Sequence, residues 1–536
     1  MISLLIRYKV IISILVFSIM YLYTLDDYWK PVWDSAIYIS LAKSIAAGNG
    51  YHYMGLPHAK YPFIFPLILS PIIGLFGLNF LLMRLLIIVL TIGSLYLTYI
   101  LFRKSTDEGM ALAIMLLTGF SSTLLHLSTW ILSDVPYMFF SLCTLYFLID
   151  YSKDNSSLTK TGFLSSIFLL MAIFTRMIGI TLFIAFLCHF LLLFSPPHKR
   201  QGSLFNGVKK VILVSLIISL PLCLWFYRSY LINKNTPFKP EYRGILSYEK
   251  EFFLKVPDNI HSESLSLRDF LKRIQGNFRI YAKGISTIIC KSVHSTKFRL
   301  FTLLLFLCGF CWCFLKRRSV IEYYFIFYLT FCIIWWFNQH PPRFLAPVIP
   351  FIFYYLLIGL KMSLELLCKM VIKVEKNRAE MGKRVIRGLV VFLLILTNFS
   401  FKPSVIKSER RSQFHPQALI GEFFSAIEWI KENTLQDSII MSNRAPWVIM
   451  FTDRKTLTWP LFEPLSYVVN SIVKNHVGYI VVSTIHQETY HLLHNFVENH
   501  PKQFIQVFRN NKTSIYKVER ENFPNISPQR TPRPQR

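Results

Sequence analysis

Charge is scarce in this sequence, and negative charge scarcer: Asp, Glu, Lys and Arg make up 16% of the 536 residues, and 58 bases stand against 29 acids. With 53% hydrophobic residues, that scarcity excludes an ordinary soluble domain, where about a quarter of residues are charged. Short alternating strands between turn signals are lacking too, which excludes a membrane β-barrel. No small-residue cleavage site follows the first apolar stretch; Thr24, Leu25, Asp26 and Asp27 come next. Residues 3–23 therefore read as a retained helix rather than a cleaved leader. No internal repeat is visible, which counts against a transporter built from inverted halves. Cysteine is poorly placed for a disulfide framework. Eight of the nine (Cys143, Cys188, Cys223, Cys308, Cys311, Cys313, Cys332, Cys368) lie in or beside apolar segments, and Cys290 has no outer partner. The metal-like spacing of Cys308, Cys311 and Cys313 falls inside an apolar run without His or acid, where small apolar side chains are the expected reading.

What the sequence does have is long apolar runs of roughly 17–25 residues, the length a helix needs to cross a bilayer. They fall at 3–23, 78–102, 108–127, 133–151, 160–175, 177–194, 208–227, 299–315, 319–337, 345–360 and 385–400. The expected fold is an all-α polytopic membrane bundle of about eleven transmembrane helices. Alternate ends of these runs differ sharply in basic residues. One set, including Arg7, Lys9, Arg103, Lys104, Lys316, Arg317 and Arg318, holds twenty-one Lys and Arg; the other holds Lys30, Lys43, Lys60, Arg176 and Arg343. Bases are retained on the cytoplasmic side, so the N-terminus is expected inside and the C-terminal region outside. The second outer segment, 228–298, is itself basic, which suits anionic headgroups or a phosphorylated substrate and argues against nucleic acid as a partner.

Three domains are expected: 1–402 in the membrane, with outer loops 24–77 and 228–298; 403–523 as a small soluble α/β domain; and 524–536 as a Pro- and Arg-rich disordered tail. In the first loop, Asp34 followed by Ile37, Tyr38, Leu41, Ala42 and Ile45 reads as a short amphipathic helix with an acidic cap, ended by Gly48 and Gly50 and lying along the membrane surface. In the soluble domain, Ile420, Phe423, Phe424, Ile427 and Ile430 mark a helix over 417–433. A strand is expected at 439–441, a helix near 464–475, a strand at 478–482, a helix at 488–499 and strands near 504–508 and 513–518.

The chemistry-bearing residues gather at the outer ends of the runs. Asp34, in Trp33-Asp34-Ser35-Ala36-Ile37-Tyr38, can deprotonate a hydroxyl or hold a divalent ion; a helix cap is the plainer role. Asp134 opens the fourth run in Ser133-Asp134-Val135-Pro136, where capping is again the plain alternative. Lys60, Arg176 and Arg343 lie on the same side and can grip a phosphate, or simply snorkel to the interface. Arg84 is expected to pair within the bundle. His52 and His58 precede Lys60 and could join a metal site, though surface histidines are commoner.

The order of these motifs resembles the GT-C class of membrane glycosyltransferases, particularly the branch holding protein O-mannosyltransferases and lipid A aminoarabinose transferases. The matching stretches are Trp33-Asp34-Ser35 with Gly48-Asn49-Gly50-Tyr51, Lys60-Tyr61-Pro62, Ser133-Asp134-Val135-Pro136, Thr175-Arg176 and Pro342-Arg343-Phe344. The resemblance implies that Asp34 is the catalytic acidic residue of the first outer loop and Asp134 a second acid facing the same cavity. Lys60 looks like the lysine that meets the donor phosphate in aminoarabinose transferases, and Arg343 lies where the family has an Arg before an aromatic; phosphate contact by Arg176 and Arg343 is inferred from their charge and position. The resemblance also implies an inverting transfer from a polyprenyl-phosphate sugar to an acceptor glycan, lipid or protein outside the membrane. A metal role is left open, with a divalent ion at Asp34 as the option, and Asp26-Asp27 forms an alternative acidic pair. The rival reading is a multi-spanning transporter or flippase of lipid-linked substrates, which would place ionisable residues and broken helices at mid-membrane depth.

Overall fold

A computed structural model describes residues 8–153, 159–193, 203–236, 248–256, 259, 261–291, 295–335, 341–371, 388, 391, 419–460, 462–485 and 487–523. The apolar run at 385–400 (388 and 391 apart), the boundary near 403 and the tail from 524 lie outside these. The chain divides into two compact units, one of Met1–Lys30, Tyr61–Tyr230 and Leu265–Phe401, the other of Pro31–Lys60, Leu231–Ser264 and Lys402–Arg536.

The first unit is helical. Among the described residues, five helical stretches are long and apolar enough to cross a membrane: Phe80–Arg103, Asp134–Ser152, Val208–Asn235, Thr296–Lys316 and Pro342–Leu366. Shorter apolar helices accompany them, among them Lys9–Leu22, Lys160–Thr175 and Val320–Ile334. The apolar run before Phe102 resolves into two helices. Ile64–Phe76 ends at Gly77, whose φ of 65° suits a residue without a Cβ, and Asn79 caps Phe80–Arg103 by accepting from the Leu82 N–H at 3.0 Å. The run expected at 108–127 is likewise two helices, Glu108–Gly119 and Ser122–Leu127. At the break the Tyr21 hydroxyl donates to the Gly119 carbonyl at 2.9 Å.

Helices Thr296–Lys316 and Ile349–Val371 meet through two glycines. A Cβ on Gly309 would strike the Tyr355 carbonyl, and one on Gly359 the Leu305 carbonyl. Because the obstacle is backbone, neither helix can yield by turning a side chain, which is the small-residue packing of membrane helices. Gly359→Ala is expected to destabilise the protein by about 1–3 kcal/mol through overpacking. Thermal unfolding in detergent that left the midpoint unchanged would show that the helices can separate freely.

In the second unit, helix Trp33–Ala46 ends two residues before Gly48 (φ 73°) and is buried over Ser35, Ala36, Ile37, Tyr38, Ile39, Leu41 and Ala42. It packs on helix Ala445–Thr452, and Lys43 Nζ meets Asp453 Oδ1 at 2.5 Å and the Met450 carbonyl at 2.9 Å. A small hairpin of β1 (His52–Tyr53) and β2 (Leu56–Pro57) follows. Further on, β3 (Ile440–Ser442), β4 (Thr456–Thr458), β5 (Tyr479–Ser483), β6 (Phe504–Arg509) and β7 (Thr513–Val518) form one sheet in the order β4-β3-β5-β7-β6. β3 runs parallel to β4 and β5, while β7 runs antiparallel to β5 and β6. Helices Leu465–Lys474 and Gln487–Glu498 supply Val468, Ile472 and Leu493 to the core beneath Met441, Ile480 and Tyr516. Buried Arg454 holds the end of helix Leu419–Asn433 by donating to the Lys431 and Thr434 carbonyls at 2.8 and 2.9 Å.

Candidate active site

Three residues far apart in sequence converge in the first unit. Asp134 is the first residue of helix Asp134–Lys153. Arg176 sits between helix Lys160–Thr175 and the short turn Met177–Gly179 with an extended backbone (φ −149°, ψ 129°), so its side chain leaves the helical track. Arg343 lies in the short helix Pro341–Leu345. Arg176 Nη1 donates to Asp134 Oδ1 at 2.5 Å and Arg343 Nε to Asp134 Oδ2 at 3.1 Å. The carboxylate is 1% exposed, the guanidiniums 13% and 12%. Both oxygens of the acid are thus occupied by guanidiniums.

The surroundings fix both arginines. The Phe344 ring lies 5.2 Å from the Arg176 guanidinium carbon and 5.5 Å from that of Arg343, a cation–π arrangement on both. Phe344 is anchored by its carbonyl, which accepts from the Tyr328 hydroxyl at 2.7 Å. Asn277, buried on helix Leu267–Ile289, donates to the Ile333 and Trp335 carbonyls at 2.9 and 2.7 Å, closing the helix that carries Tyr328. Neither Asn277 nor Tyr328 was singled out from sequence; a polar residue on an otherwise apolar face of 277–289 is the signal that was there to find.

Asp34 and Lys60 belong to the second unit. Asp34 is in the first turn of its helix, two residues after the N-cap Val32, and is half-buried. Lys60 is ion-paired with Glu251, the two side chains 11% and 14% exposed. Glu251 was not foreseen; an acid within the strongly basic segment 228–298 was the clue to it. Asp26, one of the alternative acids, is taken: it pairs with Arg84, which also donates to the Asp26 and Thr24 carbonyls at 3.1 Å. Arg84 therefore pairs inside the bundle, as its position implied.

The donor set at Asp134 does not fit a metal ion, since a divalent cation there would face two guanidiniums already bound to the same carboxylate. Among the described residues, no three His, Cys, Asp or Glu side chains group as metal ligands. His58 is fully buried with its ring edge-on to Tyr51 and Tyr53 at 5.8 and 6.0 Å, and burial holds the Tyr53 hydroxyl protonated well above the usual tyrosine range.

Residues 60–225 match the family described as dolichyl-phosphate-mannose-protein mannosyltransferase. No curated protein matches the chain by sequence. Among solved structures, the archaeal oligosaccharyltransferase AglB from Archaeoglobus fulgidus, in complex with an inhibitory peptide and a dolichol-phosphate, aligns over 97% of this chain and 75% of its own, at 12% identity and a TM-score of 0.55. ArnT from Cupriavidus metallidurans, bound to undecaprenyl phosphate, aligns over 95% of this chain and 98% of its own, at 15% identity and a TM-score of 0.54. The Archaeoglobus enzyme has also been solved as a complex with Zn and sulfate. At these identities the likeness is one of fold. The family match over residues 60–225 and the shared fold agree with the resemblance to the GT-C class.

Proposed function

We propose that this chain transfers a sugar from a polyprenyl-phosphate donor to an acceptor hydroxyl on the extracytoplasmic side of the membrane, with inversion at the anomeric carbon. The observation that carries the reading is the Asp134 cluster. A single buried acid holds two guanidiniums beside one aromatic ring at the ends of apolar helices, where a lipid-borne phosphate would arrive. In the reaction, Asp34 takes the proton of the acceptor hydroxyl as its oxygen bonds to the anomeric carbon. The bond from that carbon to the phosphate oxygen breaks, and the polyprenyl phosphate leaves with the electron pair. Arg176, Arg343 and Lys60 stabilise the departing phosphate. Asp134 then serves as a positioning residue, because its oxygens are already committed to the arginines. A divalent ion, where one is used, falls to Asp34.

The same reading takes the bundle as eleven spans with the N-terminus inside, and 403–523 as an extracytoplasmic α/β domain that selects the acceptor. Support comes from the distribution of bases and from the order of motifs.

The test is transfer from radiolabelled polyprenyl-phosphate sugars by the purified protein in nanodiscs. Release of polyprenyl phosphate with label on an acceptor supports the reading. Movement of intact donor across proteoliposomes, without release of sugar, would instead establish the flippase. For Lys60→Met, the Michaelis constant for donor is expected to rise about 10- to 100-fold, the worth of one charge-assisted hydrogen bond. An unchanged constant would remove Lys60 from the donor site and leave it as the partner of Glu251.

A further inference from the structure

A second site lies in the first unit, at the other end of the bundle from the Asp134 cluster. Lys104 Nζ pairs with Asp150 Oδ2 at 2.7 Å, and Asp150 stands sixteen residues beyond Asp134 on the same helix, about 24 Å away along its axis. Here the C-terminal ends of Phe80–Arg103 and Thr296–Lys316 meet the start of Glu108–Gly119 and the flank of Ile349–Val371. They enclose a cavity of about 300 Å³ lined by Lys104, Arg317 and Lys361 with Ser105 and Thr106. One acid, Asp107, also lines it, and Asp107 Oδ1 is engaged in capping its helix at Met110 N, 3.0 Å away.

Lys104 is spent on Asp150, and the lining cations that remain are Arg317 and Lys361. Arg317 donates to the Ser105 carbonyl at 3.1 Å and to the Tyr354 hydroxyl at 2.5 Å. Those bonds fix its position without using an acid as partner. Lys361 is half-buried, and neither it nor Arg317 makes an ion pair with a described residue. The cavity shares Asp107, Met110 and Lys361 with a larger groove of about 750 Å³ walled by Leu116, Leu357 and Leu360, which Glu365, one turn beyond Lys361, also lines. A polar basic pocket at the level where apolar helices end, beside an apolar channel along those helices, has the shape and charge of a lipid.

We propose that this pocket binds the phosphodiester of an anionic phospholipid, with its acyl chains along the Leu116–Leu357–Leu360 groove. It is separate from the donor site and joins helices that the Gly309–Gly359 contact already brings together.

The experiment is native mass spectrometry and thermal unfolding of the full chain, delipidated and then supplied with phosphatidylglycerol, phosphatidylcholine or inorganic phosphate. Phosphatidylglycerol should be retained and raise the unfolding midpoint, and phosphatidylcholine should do neither. Lys361→Gln, which breaks no bond among the described residues, should weaken phosphatidylglycerol retention about fivefold, as expected for one cation near a headgroup. Leu116→Trp, which narrows the groove and leaves the charges in place, should weaken it too. Equal retention of both lipids, or of phosphatidylglycerol by wild type and both variants, would overturn the proposal. Protection by inorganic phosphate equal to that by phosphatidylglycerol, insensitive to Leu116→Trp, would also overturn it and assign the pocket to a soluble phosphate.

Discussion

Asp34→Asn is expected to lower sugar transfer by about 10²- to 10⁴-fold while leaving the protein folded. The magnitude is what a positioned general base contributes. The change is isosteric, so it removes the charge and the proton-accepting capacity with little alteration of shape. Its structural cost is small by comparison: a carboxylate in the first turn of a helix is worth about 0.3–1 kcal/mol to that helix, and the core of Trp33–Ala46 is made by Ile37, Ile39, Leu41 and Ala42. The unfolding midpoint and donor binding should therefore stay close to wild type as turnover collapses. Transfer at the wild-type rate would show that the base lies elsewhere. Asp26 would be a poor second choice, because Arg84 holds it, and Asp134 is held by two arginines.

Apolar run length located most helices to within a few residues, because crossing a bilayer sets a minimum length that a soluble helix does not have to meet. The errors fall where tertiary contacts outweigh local pattern. The run expected at 108–127 breaks after Gly119, whose carbonyl accepts from Tyr21. In the second unit, helix Ala445–Thr452 and strand β4 escaped notice: an unbroken apolar run such as Ala445 to Thr452 has no period to read. Helix Trp33–Ala46 has apolar residues enough to suggest a membrane surface, but nothing local announces a partner four hundred residues away. The site followed the same rule. Its residue types were visible as rare charges at helix ends, whereas the convergence of Asp134, Arg176 and Arg343 depends on how three helices pack. Glu251, Tyr328 and Asn277 carry no motif and are defined only by what they touch.

Asp134→Asn should be the most damaging single change to the fold of the first unit. Removing one member of a buried ionic group while its partners remain costs about 3–5 kcal/mol, since the charges left behind are desolvated and unpaired. Here two guanidiniums would be left against each other. Two further measurements separate a phosphate site from a merely structural ion pair. Asp134→Asn with Arg176→Met should be less destabilised than Asp134→Asn alone, because one of the stranded charges is gone. Polyprenyl phosphate should raise the unfolding midpoint of Asp134→Asn by more than it raises wild type, because its phosphate can stand in for the missing carboxylate between the arginines. If the single variant is destabilised and polyprenyl phosphate gives it no greater protection than wild type, the cluster holds helices together and the donor phosphate binds elsewhere.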